Sequence, residues 1–451
     1  MRADPVGVNR RLGTYTNFAN LLDMTAMAVP LGVADGGPFG VMVLAPAFSD
    51  HVALDLASRL TGDHGGPPMT GESRALLVAG AADVPEFGYS GVGHSPVSPT
   101  ARHPWEPATT PGGSSAGSGI AVATGMSPVA LASDGGGSIR IPAAHCGIYG
   151  FKASMGRVPL YPGCRDEHYP GVSSWETLEC IGPLSRTVAD AALMMDVLAG
   201  PDPRDRHSLP GGDVDWRAAG AVGDLRGHRI AFSADLGYLS VDPEVRRVVA
   251  DAADAFTELG ATVVEADPGW DDPYATFWAL VAADSDLAGM RALVARYGSE
   301  MSPHLVDLLT RPWTAEDFTD AATTRKALVN RMWRFMADYD LLVTPTLTVP
   351  PFALGMQGPE IVDGRMVPPS AWLGFTFPIN MTGQPAASCP AGFTADGRPV
   401  GLHIVGPHLG DAAVLGASAA FETARPWHDR WPGIVEQARS GGAPRTPVAV
   451  M

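Results

Sequence analysis

The sequence predicts an α/β protein: a mixed β-sheet core covered by helices on both faces, with an atypical N-terminal portion. Three observations carry this expectation. Strand-like and helix-like runs alternate between residues 229 and 265, the pattern of a sheet buried on both faces. Residues 9–60 and 380–411 each read as a β-hairpin, an apolar strand, an Asp-Gly turn and a second apolar strand, followed by a helix opening near an Asp cap. Between Thr110 and Ser138, two glycine-rich turns flank a small, apolar run, which ties both turns to buried segments.

Taken in order, the chain opens with the first of those hairpins, and the two copies align closely. Asn20 matches Asn380, Pro30 matches Pro390 and Gly32 matches Gly392. After one residue of slippage, Ala34-Asp35-Gly36 matches Ala395-Asp396-Gly397, and Pro38, Gly40, Pro46 and Asp50 match Pro399, Gly401, Pro407 and Asp411. A polar Gly/Pro linker, TGDHGGPPMTGES, spans residues 61–73 and marks the best boundary. The expected organisation is therefore an N-terminal segment, 1–64, a main domain, 65–438, and a loose tail, 439–451.

Within the main domain Arg229–Phe232 reads as a short strand. Asp242-Pro243 then opens a helix, with proline at its first position. Val245, Val248, Val249, Ala252, Phe256 and Leu259 recur at helical spacing, Gly260 ends the run, and Ala261–Glu265 reads as the next strand. Residues 275–340 read as mainly helical, and their Trp278, Trp313 and Trp333 are expected in the core or lining a pocket.

Composition narrows the function classes. With 451 residues, 45% hydrophobic and 18% charged, the chain can bury a large core. A net charge of −17 argues against nucleic acid or an anionic membrane as partner, since both require clustered Lys and Arg. Cys146, Cys164, Cys180 and Cys389 are scattered without a ligand-like pair, so reduced thiols are expected. No apolar leader or membrane-length run is present in the sequence, and a cytoplasmic protein is expected. A duplicated hairpin brings strand edges that a second copy of the chain could pair with, which points to a homodimer.

The chemistry sits between Thr110 and Ser138. Asp134-Gly135-Gly136-Gly137-Ser138 places flexible main-chain amides just before a hydroxyl, the arrangement an oxyanion hole beside a serine nucleophile needs. A glycine-serine run by itself also describes a flexible loop.

These residues carry a family resemblance. GGSSAGSGIAVA followed by SDGGGSIRIPAAHCGIYGFK resembles the amidase signature family, as do GPLSRTVADAALMMDVLAG (182–200), DLLVTPT (340–346) and NMTGQPAASCPAGF with DGRPVGLHIVGP (380–407) further on. That family hydrolyses carboxamides with a Ser–cis-Ser–Lys triad and no metal or cofactor. The resemblance implies Ser138 as nucleophile, Ser114 as bridging serine, and the amides of Gly135, Gly136, Gly137 and Ser138 as oxyanion donors. Ser115, Asp134 and Arg140 match supporting positions, where turn and sheet hydrogen bonding is an equally good reading. The partner implied is a small carboxamide. NRRLGTYTNFANLLD resembles the C-terminal part of the amidase domain of allophanate hydrolases, in which an arginine at the position of Arg11 helps hold a carboxylate.

One part of the family pattern has no match. The family's catalytic lysine precedes the first serine turn, whereas the only lysines here are Lys152 and Lys326, and the family has its own lysine at the position of Lys152. A serine hydroxyl without a base in reach is a weak nucleophile. His51, His64, His94 and His103 are the candidate substitutes, each equally readable as a surface histidine. Two further readings stay open: a catalytically inactive member in a binding or partnering role, and an acyl-transfer enzyme with a substitute base. The amidase component of a tRNA-dependent amidotransferase fits less well, because such chains show a DQIGP-like phrase where this one has ECIGP at 179–183.

Overall fold

The computed structural model describes the backbone of residues 25–34 and 37–45, and residues 84–96, 100–160, 175–212, 214–221 and 223–435 in full. The chain divides into two units, one of residues 1–82 with 126–128, the other of 83–125 with 129–451. The expected boundary at 64/65, the tail from 439 and the segment carrying Arg11, Tyr15, His51 and His64 lie outside the described residues.

In the first unit, β1 (Thr25–Ala34) and β2 (Gly37–Ala45) form an antiparallel hairpin. The second unit is built on an eight-stranded sheet. Its elements in chain order are α1 (Ala116–Thr124), β3 (Val129–Asp134), α2 (Arg140–Cys146), β4 (Tyr149–Lys152), β5 (Cys180–Ser185), α3 (Val188–Leu198), α4 (Trp216–Ala219), β6 (Arg229–Phe232), α5 (Pro243–Glu258), β7 (Thr262–Glu265), α6 (Tyr274–Asp284), α7 (Leu287–Tyr297), α8 (Pro303–Thr310), α9 (Ala315–Phe335) and β8 (Leu341–Pro345). A two-residue ribbon follows, β9 (Ile361–Val362) with β10 (Arg365–Met366), then α10 (Phe377–Thr382), β11 (Ala386–Phe393), β12 (Pro399–Val405) and α11 (Asp411–Ala424).

The strand order is β3-β5-β4-β11-β12-β8-β6-β7. Every pair from β3 through β8 is antiparallel, and β8-β6-β7 are parallel. The sheet is thus mixed, as the sequence predicts. The parallel end follows from the 229–265 pattern, where α5 is the crossover that parallel strands require. Its N-cap is Asp242, whose carboxylate accepts from the amides of Glu244 at 2.8 Å and Val245 at 3.3 Å. Val245, Val248, Val249, Ala252 and Phe256 are buried on one stripe, and Gly260, at φ +90°, follows the last turn.

Helices cover both faces. A Cβ at Gly150 of β4 or Gly401 of β12 would lie 2.7 Å from Ala143 or 2.6 Å from Ala144 of α2, so that helix packs tightly over the centre of one face. Tyr149, which alternation directs to the other face, reaches Ser418 of α11. A large apolar cluster spans most of this unit, and a smaller one, including Val122, Ile139, Cys146 and Leu184, joins α1 and α2 to the sheet. Cys146, Cys180 and Cys389 are buried free thiols.

The two hairpins share their pairing register. In β1–β2, Pro30 faces Gly40 and Gly32 faces Phe39, with a bulge between. In β11–β12, Pro390 faces Gly401 and Gly392 faces Val400, with a bulge at the same place. The expected Asp cap differs: Gly410 is the N-cap of α11, and the Asp411 carboxylate instead accepts from Ser154 N at 2.7 Å, Ser154 Oγ at 2.8 Å and Arg157 Nε at 3.0 Å.

The helical reading of 275–340 holds in α6 to α9. Trp278 and Trp313 pack against the core, but Trp333 is 70% exposed. It neighbours the buried Met332 of α9, and one residue along a helix turns a side chain by about 100°. Among the described residues, no helix is long and apolar enough to cross a membrane.

Candidate active site

The two serine turns meet at one cleft. Ser114 lies in the turn entering α1, and Ser138 in the turn between β3 and α2. The Gly113–Ser114 peptide is cis, the form the resemblance implies for the bridging serine. An open cleft of about 300 Å³ is lined by Ser114, Ser133, Gly135, Ser138, Trp175 and Glu179, among others. Both serines are largely buried, and both line this space.

The supporting residues hold the two turns together. Ser115 Oγ donates to Ser133 O at 3.4 Å and accepts from Ser133 N at 3.3 Å, which clips the first turn to β3. Asp134 and Arg140 form a fully buried pair, Arg140 Nε to Oδ2 at 2.9 Å and Nη2 to Oδ1 at 2.8 Å. Asp134 Oδ2 also accepts from the Ile139 amide at 3.3 Å, so its carboxylate spans the base of the turn that carries Ser138.

Burial alone would raise the Asp134 pKa, but Arg140 beside it, then Lys152 and Asn380, hold it down to about 2. It therefore stays ionised, as a paired carboxylate does. His403, on β12, accepts from Arg140 Nη1 through Nε2 at 3.1 Å. Arginine can only donate, so the ring proton is on Nδ1, 3.4 Å from Thr344 Oγ1. Burial and then Arg140 push the His403 pKa well below its ordinary value, so the ring is neutral.

The glycines between Asp134 and Ser138 are sterically required. A Cβ at Gly135 would meet Trp175 Cε3 at 2.5 Å, and one at Gly136 would meet Phe277 Cζ at 2.7 Å. Gly137 has φ +133°, and a Cβ there would lie 2.5 Å from Thr376 Oγ1. That hydroxyl donates to Gly136 O at 2.7 Å and fixes the turn from the far side.

Of the substitute bases proposed by sequence, His94 and His103 do not line this cleft, and His51 and His64 lie outside the described residues. His94 lines a different cleft, with Nδ1 3.0 Å from Thr100 Oγ1. His103 is a buried turn former: its Nδ1 accepts from the amides of Trp105 at 3.3 Å and Glu106 at 3.0 Å, while Nε2 donates to His145 O at 2.6 Å. Burial lowers its pKa to about 4. Lys152 Nζ is buried, donating to Ala153 O at 3.2 Å beside Cys180 Sγ at 3.7 Å, and Lys326 lies on α9.

Several site residues escaped sequence reasoning. Asn380 Nδ2 donates to Asp134 O at 2.6 Å and Leu178 O at 3.1 Å, and its Oδ1 accepts from Arg140 Nη2 at 2.7 Å. Asn380 was visible as a repeat position and as the first letter of NMTGQP, and His403 as a letter of GLHIVGP, neither with a role. Glu179 was visible only as the first letter of ECIGP, and Thr376 and Trp175 gave no local signal.

The family model described as Amidase matches residues 73–415. An acylamidase of Rhodococcus erythropolis is 39% identical over 367 residues, covering 79% of this chain and 74% of that one. A glutamyl-tRNA(Gln) amidotransferase chain of Geobacter metallireducens is 30% identical over 404 residues, covering 82% and 80%. Among solved structures, a bacterial aryl acylamidase of the amidase signature enzymes superposes with a TM-score of 0.69 at 34% identity, over 76% of this chain and 72% of that one. The eight-stranded mixed sheet, the paired serine turns and these matches place the chain in the amidase family, enzymes that hydrolyse the C–N bond of amides.

Proposed function

We propose that the chain cleaves a small carboxamide through an acyl ester on Ser138. In this reading Ser138 Oγ attacks the amide carbonyl, and the amides of Gly135, Gly136, Gly137 and Ser138 receive the developing oxyanion. Ser114 accepts the Ser138 proton, passes it on, and returns a proton to the leaving nitrogen as the C–N bond breaks. Water then attacks the ester, the C–O bond to Ser138 breaks, and the serine regains its proton. Ser115, Asp134 and Arg140 position the two turns. The observation that carries the reading is that Ser114, Ser138 and Gly135 line one cleft. The likeness to an acylamidase and an aryl acylamidase favours an N-acyl amine substrate, and Trp175 and Phe87 in the lining suit one with an apolar group. The reaction takes place in the cytoplasm, without nucleic acid or membrane as partner.

A second reading, an impaired member that serves another protein as its partner, draws on a specific observation. Neither lysine of the chain lines the cleft, which supports a reading without the family's usual base. A fluorophosphonate serine probe separates the two. Mass addition to the full chain that disappears in Ser138→Ala supports the hydrolase. A folded chain that takes no label favours the partner role.

A further inference from the structure

We propose that Glu179 is the proton acceptor of this site, taking through Ser114 the proton that Ser138 gives up. The inference rests on the hydrolase reading above and supplies the base that reading lacks.

Among the described residues lining the cleft there is no lysine and no histidine, and Glu179 is the one carboxyl. The other acid nearby, Asp134, is committed to Arg140, Asn380 and the Ile139 amide. Its low pKa makes it a poor base in any case, since proton transfer is most effective from groups that titrate near the working pH. Glu179 stands in the opposite condition. Burial raises its pKa, the Ser133 hydroxyl and the Trp175 amide lower it by hydrogen bonding, and the Asp134 charge raises it again, for a net rise. Among the described residues the Tyr89 phenol also faces it, its ring packed edge-on against Trp175 at 4.7 Å. Arg140 faces Asp134 and offsets its charge.

Position supports the role as well. Glu179 directly precedes β5, whose Cys180 pairs with Asp134 at the end of β3. Just past this last pair Glu179 joins Ser133 in the cleft lining, and Ser115 clips Ser133 to the turn that carries Ser114. The acceptor thus sits at the end of a sheet strand, and Ser114 and Ser138 line the same space.

The chemistry balances without a further reactant. In acylation the Ser138 Oγ–C bond forms and the C–N bond breaks; the serine proton passes through Ser114 to Glu179, then from Glu179 through Ser114 to the leaving amine. Deacylation repeats the transfer with water as the proton donor and Ser138 as the recipient.

The test is the rate of fluorophosphonate labelling of the full chain against pH, read by intact mass. The Ser138 Oγ–P bond forms, fluoride leaves, and the proton goes to the base. The expected rate rises through one inflection lying above the ordinary glutamate range. Glu179→Gln slows labelling by about 10²–10⁴-fold, the usual contribution of a general base, and removes the inflection. Ser133→Ala, which takes away a hydrogen bond favouring the carboxylate, moves the inflection to higher pH. A folded Glu179→Gln chain that labels at the unaltered rate with the same inflection overturns the proposal while leaving Ser138 as nucleophile. Where that variant does not fold, an unmoved inflection in Ser133→Ala overturns it. Absence of label from the unaltered chain, or label that persists in Ser138→Ala, sinks the hydrolase reading and this inference together.

Discussion

Asn380 Nδ2 donates to the main-chain oxygen of Asp134 at 2.6 Å and to its carboxylate at 2.8 Å, so one amide grips both ends of the residue that opens the Ser138 turn. The same side chain accepts from Arg140. The buried ion pair is therefore held as a triangle, with α10 supplying the third corner.

Asp134→Ala leaves Arg140 charged and buried without its partner. Removing one member of a buried pair costs about 3–5 kcal/mol, and the urea midpoint should fall accordingly. Asn380→Ala orphans fewer groups, at about 1–3 kcal/mol for a buried polar atom left unpaired, and should fall between that variant and the unaltered chain.

Acid should weaken the protein in two windows. The folded pKa of His103, about 4, lies below its ordinary 6.5, so the unfolded chain binds more protons between these values. Its contribution is complete above 6.5 and lost as pH falls toward 4. The folded pKa of Asp134, about 2, lies below 3.8, so its contribution is complete above 3.8 and lost as pH falls toward 2. Denaturant titrations across pH 2–8 should show both slopes, and His103→Gln should make the upper one shallower while leaving the share of His145 and His403, whose pKa values burial also lowers.

Gly137→Ala should disable the site with little change elsewhere. The added Cβ would lie 2.5 Å from Thr376 Oγ1 and 2.8 Å from its Cβ, at a φ of +133°. Thr376 would have to release Gly136 O, and the turn would lose its shape. Loss of a single oxyanion donor costs about 10²–10³-fold, and probe labelling should drop by at least that much. Labelling at the unaltered rate would count against these amides as the oxyanion donors.

Two tryptophans should behave oppositely. Trp333, on the outer side of α9 near the exposed Val329, should tolerate replacement by serine within about 0.5 kcal/mol. Trp372, fully buried and stacked on His145 at 5.5 Å, should cost about 3–5 kcal/mol when cut to alanine. Thermal melting of both variants checks the contrast.

What was legible in the sequence is what neighbouring residues encode. The β6-α5-β7 unit could be read because a cap, an apolar stripe and a terminating glycine lie within one short stretch. Ser114, Ser138 and the glycines could be read because each turn announces itself locally. The contact between Arg140 and His403 joins positions far apart in the chain and exists only once β12 lies over α2, so no local pattern reports it. Glu179 was hidden for a related reason: its place at the cleft comes from the pairing of β5 with β3. Trp333 was misread because residue type was taken without helical phase.

The matched hairpins bear on how this chain tolerates changes of length. Phe393 faces Pro399, and Val33 faces Pro38 in the other hairpin, although the connection after Phe393 is one residue longer. An extra residue inside a strand would turn everything after it to the opposite side of the sheet. Placed between the strands it leaves each opposed pair where it was. Insertions and deletions in these segments should therefore be accepted at the Asp-Gly connection and rejected a few positions away, so the connection is the natural port for a tag or reporter.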